Sequence, residues 1–218
     1  MRLFSRLTVM FAAAALAVPS VARAGDPPVG VQAFAAIDFN HFAASKTYDA
    51  IFGSSSIPGY GGGADITNVW RQVFIRVAVT RVSKTGSRVF VDSGQVYQLN
   101  QPAQLTLTPI EIGAGWRFVL KDPRLSPYAG GGVLIEPYNV VYSESTDLNE
   151  SETFKGGVFF GGVDFAITKV LFVGGEAQFR TLPNALQSAL ASSAANAFNE
   201  TDGGGFTLRL LVGVKFGK

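Results

Sequence analysis

The sequence predicts an all-β chain, an eight-stranded antiparallel up-and-down transmembrane β-barrel, and three observations predict it. The first is the stretch Phe206-Thr-Leu-Arg-Leu-Leu-Val-Gly-Val-Lys-Phe216. Phe206, Leu208, Leu210, Val212, Val214 and Phe216 form one apolar row, while Thr207, Arg209, Leu211, Gly213 and Lys215 form the other. A period of two means an extended strand with two unlike faces, and roughly 9–11 residues cross a bilayer as a tilted strand. The second observation is that the chain is 47% hydrophobic and 16% charged, yet past residue 24 no apolar run approaches the about 20 residues of a membrane helix. The third is that short turns and long connections alternate, with the long ones on one side, as in barrels with short periplasmic turns and long outward loops.

The first 24 residues read as an export signal. Arg2 and Arg6 make a positive start, Val9 to Val18 an apolar core, and Ala22-Arg-Ala24 a small-x-small site, so cleavage is expected after Ala24. The mature domain then spans residues 25–218. Losing Arg2, Arg6 and Arg23 takes the basic count from 18 to 15 against 16 acidic residues, which removes the electrostatic basis for a nucleic-acid partner. There is no cysteine, so disulfides and thiolate metal sites are excluded. No cofactor is expected.

Taken in order, strand one covers about Val31 to Asn40, alternating Val31, Ala33, Ala35, Ile37 and Phe39 with Gln32, Phe34, Ala36, Asp38 and Asn40. His41 to Gly63, with its Gly and Ser clusters, reads as a long loop. Strand two, about Val69 to Val82, sets Val73, Ile75, Val77 and Val79 outward between Arg71 and Arg81, with Gln72, Arg76 and Thr80 inward. Lys84-Thr-Gly-Ser87 reads as a tight turn into strand three, Arg88 to Tyr97, and Gln98 to Gln104 as a second loop. Strand four, Leu105 to Val119, ends on Trp116 and Phe118, where an aromatic girdle belongs.

After the turn Lys121–Leu125, strand five runs from Pro127 to Tyr142; glycines on its inner row make room for large neighbours. Ser143 to Glu152 is an acidic loop, followed by strand six from Phe154 to Ile167, a turn at Thr168-Lys169, and strand seven from Val170 to Arg180. The last loop, Thr181 to Gly205, holds an alanine-rich stretch over 183–198 with Leu182, Leu186 and Leu190 at helical spacing and Ala194 and Ala197 behind. It reads as a helix covering the rim, or as a lid for a hydrophobic ligand. Strand eight closes the barrel, with both termini expected on the periplasmic side.

Leu107-Thr-Pro-Ile-Glu111, Gly115-Trp-Arg-Phe118, Pro127-Tyr-Ala-Gly-Gly-Gly132, Gly174-Gly-Glu-Ala-Gln178 and the aromatic last strand resemble the small outer-membrane β-barrel proteins, similar to the transmembrane domain of outer-membrane protein A and to outer-membrane proteins X and W. The resemblance runs from residue 30 to 216. It implies an outer-membrane location, contact with outer-membrane lipid and lipopolysaccharide, and insertion by the barrel assembly machinery. That machinery reads a terminal aromatic, here Phe216, displaced from the end by Gly217 and Lys218.

The inner rows gather acidic Asp38, Glu111, Glu136, Asp164 and Glu176 against basic Arg76, Arg117, Arg180, Arg209 and Lys215. An eight-stranded barrel is just wide enough for side chains to fill it, and a cation at mid-depth on the lipid face costs roughly 2–4 kcal/mol. The charges are therefore expected to pair across the lumen as a structural plug. The functional expectation is a non-enzymatic barrel with a structural or surface-interaction role through its long outward loops. The alternative is a small channel or hydrophobic-solute conduit, and a remoter one is a lipid-modifying enzyme. For the last, the lone His41 lies near Ser45 and Ser54 to Ser56, without a nucleophile motif. Glu144, Asp147, Glu150 and Glu152 read as a solvated acidic face rather than a metal site, and the Gly-rich runs near 61–63 and 130–132 lack the lysine of a phosphate loop.

Overall fold

A computed structural model describes residues 28–92, 94–142, 149–188 and 192–217. The expected export signal, Glu144, Asp147 and Leu190 lie outside the described residues. The strands are β1 (Gly30–Phe42), β2 (Ser56–Trp70), β3 (Val73–Asp92), β4 (Gln95–Leu107), β5 (Ile110–Arg117), β6 (Leu125–Tyr142), β7 (Glu150–Ala166), β8 (Leu171–Thr181) and β9 (Gly205–Phe216). Among the described residues three helices, α1 (Ser45–Phe52), α2 (Ala185–Ser188) and α3 (Ser192–Phe198), belong to the connections.

Each strand pairs antiparallel with its neighbours, and β9 returns to β1 from Val31↔Phe216 to Phe42↔Gly205, closing the ring. Nine segments make eight positions, because β4 and β5 lie end to end between β3 and β6. The break falls at Thr108-Pro109. Proline has no N–H to give the ladder, but its carbonyl still accepts from Thr80 N (3.0 Å), and Thr108 N donates to Pro137 O (3.0 Å).

Alternation turns one row of every strand outward. Ile37, Phe39, Ile75, Val77, Ile112, Val133, Phe159, Phe165, Val173, Leu208, Leu210 and Val212 are all exposed, a continuous apolar belt that only a lipid phase satisfies. No helix among the described residues is long and apolar enough to cross a membrane. The connections sort by end. Arg71-Gln72, residues 118–124 and 167–170 are the short turns at one end, and the start of β1 and the end of β9 join them there. The other end carries the two long connections, residues 43–55 and 182–204, together with the tight tip of the β3–β4 hairpin and the connection from β6 to β7.

Four expectations need correction. Residues 41–63 are not one loop: they hold α1 and the first half of β2, whose Gly61, Gly62 and Gly63 pair in register with Ala36, Ala35 and Phe34. Lys84–Ser87 is not a turn. It pairs straight with Leu105–Pro102, and β3 runs on to Asp92, so the strand expected over 88–97 is the tip of a long hairpin. Gln98–Gln104 is likewise strand, and the strand expected over 105–119 is two. One strand was missed and one counted twice, which leaves the total at eight. The hairpin projects past its neighbours because polar, water-facing strand positions such as Ser83 and Thr85 keep the pairing without needing lipid.

Glycines admit the large inner side chains. A Cβ on Gly130 would meet the Phe160 ring at 2.7 Å, and one on Gly213 would meet the Phe172 ring at 2.5 Å. Phe74, Tyr128, Phe160 and Phe172 thereby fill the turn-end half of the lumen with Phe34 and Leu211.

Candidate functional site: the filled lumen

The inner row of the turn-end half interleaves these rings with charges. Arg76 Nε and Nη2 donate to Asp65 Oδ1 (2.7 Å) and Oδ2 (3.0 Å), and Nη1 donates to Glu176. Its guanidinium also lies 4.8–5.4 Å from the centroids of Phe34, Phe74, Tyr128 and Phe160, a geometry in which each ring face attracts a cation. Nearer the turns, Arg117 donates to Asp164 Oδ2 (2.6 Å), Asp65 Oδ2 (2.8 Å) and Gln32 Oε1 (2.9 Å). At the next level Arg209 holds Asp38 through Nε and Nη2 (2.7 and 2.8 Å), Glu111 through Nη1 and Nη2 (2.9 Å each) and Glu176 at 3.4 Å. Gln178 Nε2 ties Glu111 to Glu176 at 3.1 and 2.9 Å. Bidentate, charge-assisted bonds of this kind are the strong ones.

Seven of the ten charged residues read from the sequence thus meet: Asp38, Arg76, Glu111, Arg117, Asp164, Glu176 and Arg209. Three do not. Glu136 and Arg180 are buried, but neither joins an ion pair among the described residues; Arg180 Nη2 donates to Asn40 Oδ1 while Nη1 has no partner. Lys215 sits half-buried with Nζ 5.3 Å from the Phe172 centroid. Asp65, which bridges Arg76 and Arg117, was missed because it follows a glycine run that reads as loop. Its alternation with Gly63 and Thr67 along the inner row was the available signal. Phe216 pairs with Val31 and stands exposed at the turn end.

The outward half is different in kind. Its wall, Ile57, Val82, Leu105, Leu107, Val140 and Tyr138, is apolar and covered by helices from two connections. From α1 come Tyr48, Ile51 and Phe52, and from the β8–β9 connection Leu186, Ala194 and Ala195. Leu182 and Ala185 pack on Leu134. Ala195, not Ala197, lies on the buried side, since Ala197 is exposed. Tyr48 stacks on Phe42 with centroids 4.1 Å apart; burial, then the Glu136 carboxylate, pushes its phenol above the ordinary value.

The two connections interlock. Ala44 gives α1 no side-chain cap, and Glu200 supplies one from the other loop, accepting from Lys46 N (3.2 Å), Thr47 N (2.9 Å) and Thr47 Oγ1 (2.8 Å). A carboxylate there also suits the positive end of the helix. Asp202 fixes the base of that loop by accepting from Leu182 N, Gly204 N and Thr181 Oγ1 at 2.7–2.8 Å.

On the outside, His41 Nδ1 lies 3.0 Å from Ser56 Oγ beside a hollow of about 200 Å³ lined by Phe39, Pro58, Phe206 and Leu208. A serine relay needs a carboxylate behind the imidazole, and among the described residues His41 makes no ion pair. No group of three or more His, Asp or Glu among them is arranged to hold a metal ion.

An apolar belt outside and a side-chain-filled lumen inside a closed antiparallel ring of eight strand positions define the class: the fold is that of the small eight-stranded outer-membrane β-barrels. Neisserial surface protein A is a solved structure of this shape, with a TM-score of 0.54 at 17% identity over 86% of this chain and 96% of that one. Ail, the attachment invasion locus protein of Yersinia pestis, aligns at 10% identity and a TM-score of 0.49, over 86% of this chain and 97% of its own. The N-terminal β-barrel domain of Pseudomonas aeruginosa OprF aligns at 14% and 0.48 over the same shares. At these identities the likeness is one of fold. No protein-family model matches the chain, and no curated protein sequence does.

Proposed function

We propose that the protein is a non-enzymatic integral outer-membrane barrel, exported by a signal peptide cleaved after Ala24, with its turns and termini in the periplasm and its long connections facing out. Its role is structural or surface-interacting, exercised through the outward connections, and the lumen charges act as a plug rather than a path. The outward end contacts lipopolysaccharide, and Phe216 is the residue offered to the barrel assembly machinery. The observation that carries this reading is the filling of the lumen at both levels, by paired charges toward the turns and by helices toward the loops.

Single-channel recording of refolded residues 25–218 in a planar bilayer, wild type beside Glu176→Gln, tests it. A silent, heat-modifiable barrel in both cases is the expected result. Reproducible openings altered by the substitution would make the inner charges a conduction path and displace the plug.

A further inference from the structure

The two ends of the barrel present different surfaces. At the turn end every connection sets a cation beside exposed apolar side chains. Arg71 follows Trp70, its guanidinium carbon 5.0 Å from the ring centroid. The turn after β5 runs through exposed Phe118, Val119 and Leu120 into Lys121 and ends on Arg124-Leu125. The turn after β7 sets Lys169 between exposed Ile167 and Val170. The one acid on these turns, Asp122, has Oδ1 engaged by the Arg124 amide (2.9 Å). The loop end mixes signs instead, with Lys46, Arg81 and Lys155 exposed alongside Asp49 and Asp92.

Two of the turns adjoin. Val73 pairs with Trp70 on one side and Trp116 on the other, and Arg117 N donates to Gln72 O (3.0 Å). Arg71, Lys121 and Arg124 therefore share one sector of the rim with both tryptophans. A long cationic side chain can lay its stem on apolar surface and carry its head to the phosphate level, and indole rings favour the same interface. An anionic wall polymer would answer the charges but offers no apolar phase to Phe118, Val119, Leu120 or Ile167. A phospholipid layer answers both.

We propose that the turn end is a selective contact for anionic phospholipid headgroups, with Arg71, Lys121, Arg124 and Lys169 holding the phosphates over acyl chains packed on Trp70, Trp116 and Phe118. This rests on the reading of the turn end as the periplasmic one, where phospholipid forms the facing leaflet.

The chain's two tryptophans, Trp70 and Trp116, both lie at this end, so selectively excited tryptophan fluorescence reports on it alone. The barrel, residues 25–218, is refolded into phosphatidylcholine vesicles containing equal mole fractions of either dibrominated phosphatidylcholine or dibrominated phosphatidylglycerol. The expected result is stronger quenching by the glycerol lipid, equivalent to a preference of roughly fivefold, the factor for one basic residue at an anionic surface. That preference should fall toward one in 1 M salt, where the Debye length is about 3 Å, and in the triple variant Arg71→Asn, Lys121→Gln, Arg124→Gln. Asparagine suits the left-handed backbone of Arg71 (φ 54°). Lys46→Gln with Lys84→Gln, at the other end, should leave it unchanged.

Equal quenching by the two lipids, or a preference that survives the triple substitution, overturns the proposal. Equal quenching with co-sedimentation of the barrel on peptidoglycan would hand the cations to the wall polymer. Quenching by neither lipid would place the tryptophans away from acyl chains and overturn the membrane reading itself. Heat-modifiable migration shows which variants fold, and should the triple variant fail, the salt titration of the wild type and Lys169→Gln carry the test.

Discussion

The two halves of the lumen are filled by different means. Toward the turns, every contributor is a wall residue: Asp65, Arg76, Glu111, Arg117, Glu176 and Arg209 project from strands whose register is fixed by the ladder on both sides. Toward the loops, the wall only supplies an apolar cup, and the filling is brought by α1, α2 and α3 from connections that meet through Glu200. The first kind of filling cannot be withdrawn without unfolding the barrel. The second is held by side-chain packing and one shared cap, so it can open while the barrel stands.

That contrast can be tested from its strong side down. Replacing Arg209 with Met should cost about 3–5 kcal/mol, since Asp38 and Glu111 would keep buried charge without their cation while Glu176 would retain only Arg76. Urea unfolding of the refolded barrel, followed by heat-modifiable migration, should show the whole transition shifted. Ile51→Ala should cost about 2 kcal/mol or slightly more by cavity formation, but as a local event. Hydrogen exchange should quicken in residues 45–52 while the global midpoint stays near wild type. If instead the global transition moves by the full amount, the outward half is as integral as the turn-end half. The smallest effect belongs to Glu200→Ala, at about 1 kcal/mol for a lost helix cap, read as faster exchange of the Lys46 and Thr47 amides.

What was legible in the sequence divides along a related line. β1, the lower part of β3, and β6 to β9 announce themselves because their outer rows are apolar wherever lipid touches them. β2 is hidden because its inner row needs glycine: Gly61 and Gly63 lie against Thr80 and Phe34, and in a sequence that same composition reads as irregular backbone. The upper part of β3 and β4 is hidden for the opposite reason, since a strand standing in water on its outer face carries the Lys, Thr, Gly and Ser of a turn. Alternation assigned most charged residues to the inside. It could not show that Asp65 belonged with them, nor which would meet, because pairs such as Asp38 and Arg209 depend on ring closure and strand stagger rather than on local pattern. The interlocking of α1 with Glu200 had no sequence signal, as a cap donated from a distant loop leaves none.

The closing pair, β1 with β9, has a consequence for how the ring is completed. Glu176, Arg209 and Asp38 stand side by side across β8, β9 and β1, and Glu111 reaches the same guanidinium from across the lumen. Until the last strand docks, Asp38 and Glu111 line an open, curved sheet with no cation paired to them, and Glu176 has only Arg76. β9 delivers the missing guanidinium in the same motion that removes the two free edges. Hydrogen-bond closure and charge neutralisation are thereby one event, separated by nearly the whole length of the chain from its start. An arrangement of such high contact order is reached slowly, but once reached it leaves few intermediate ways to come apart.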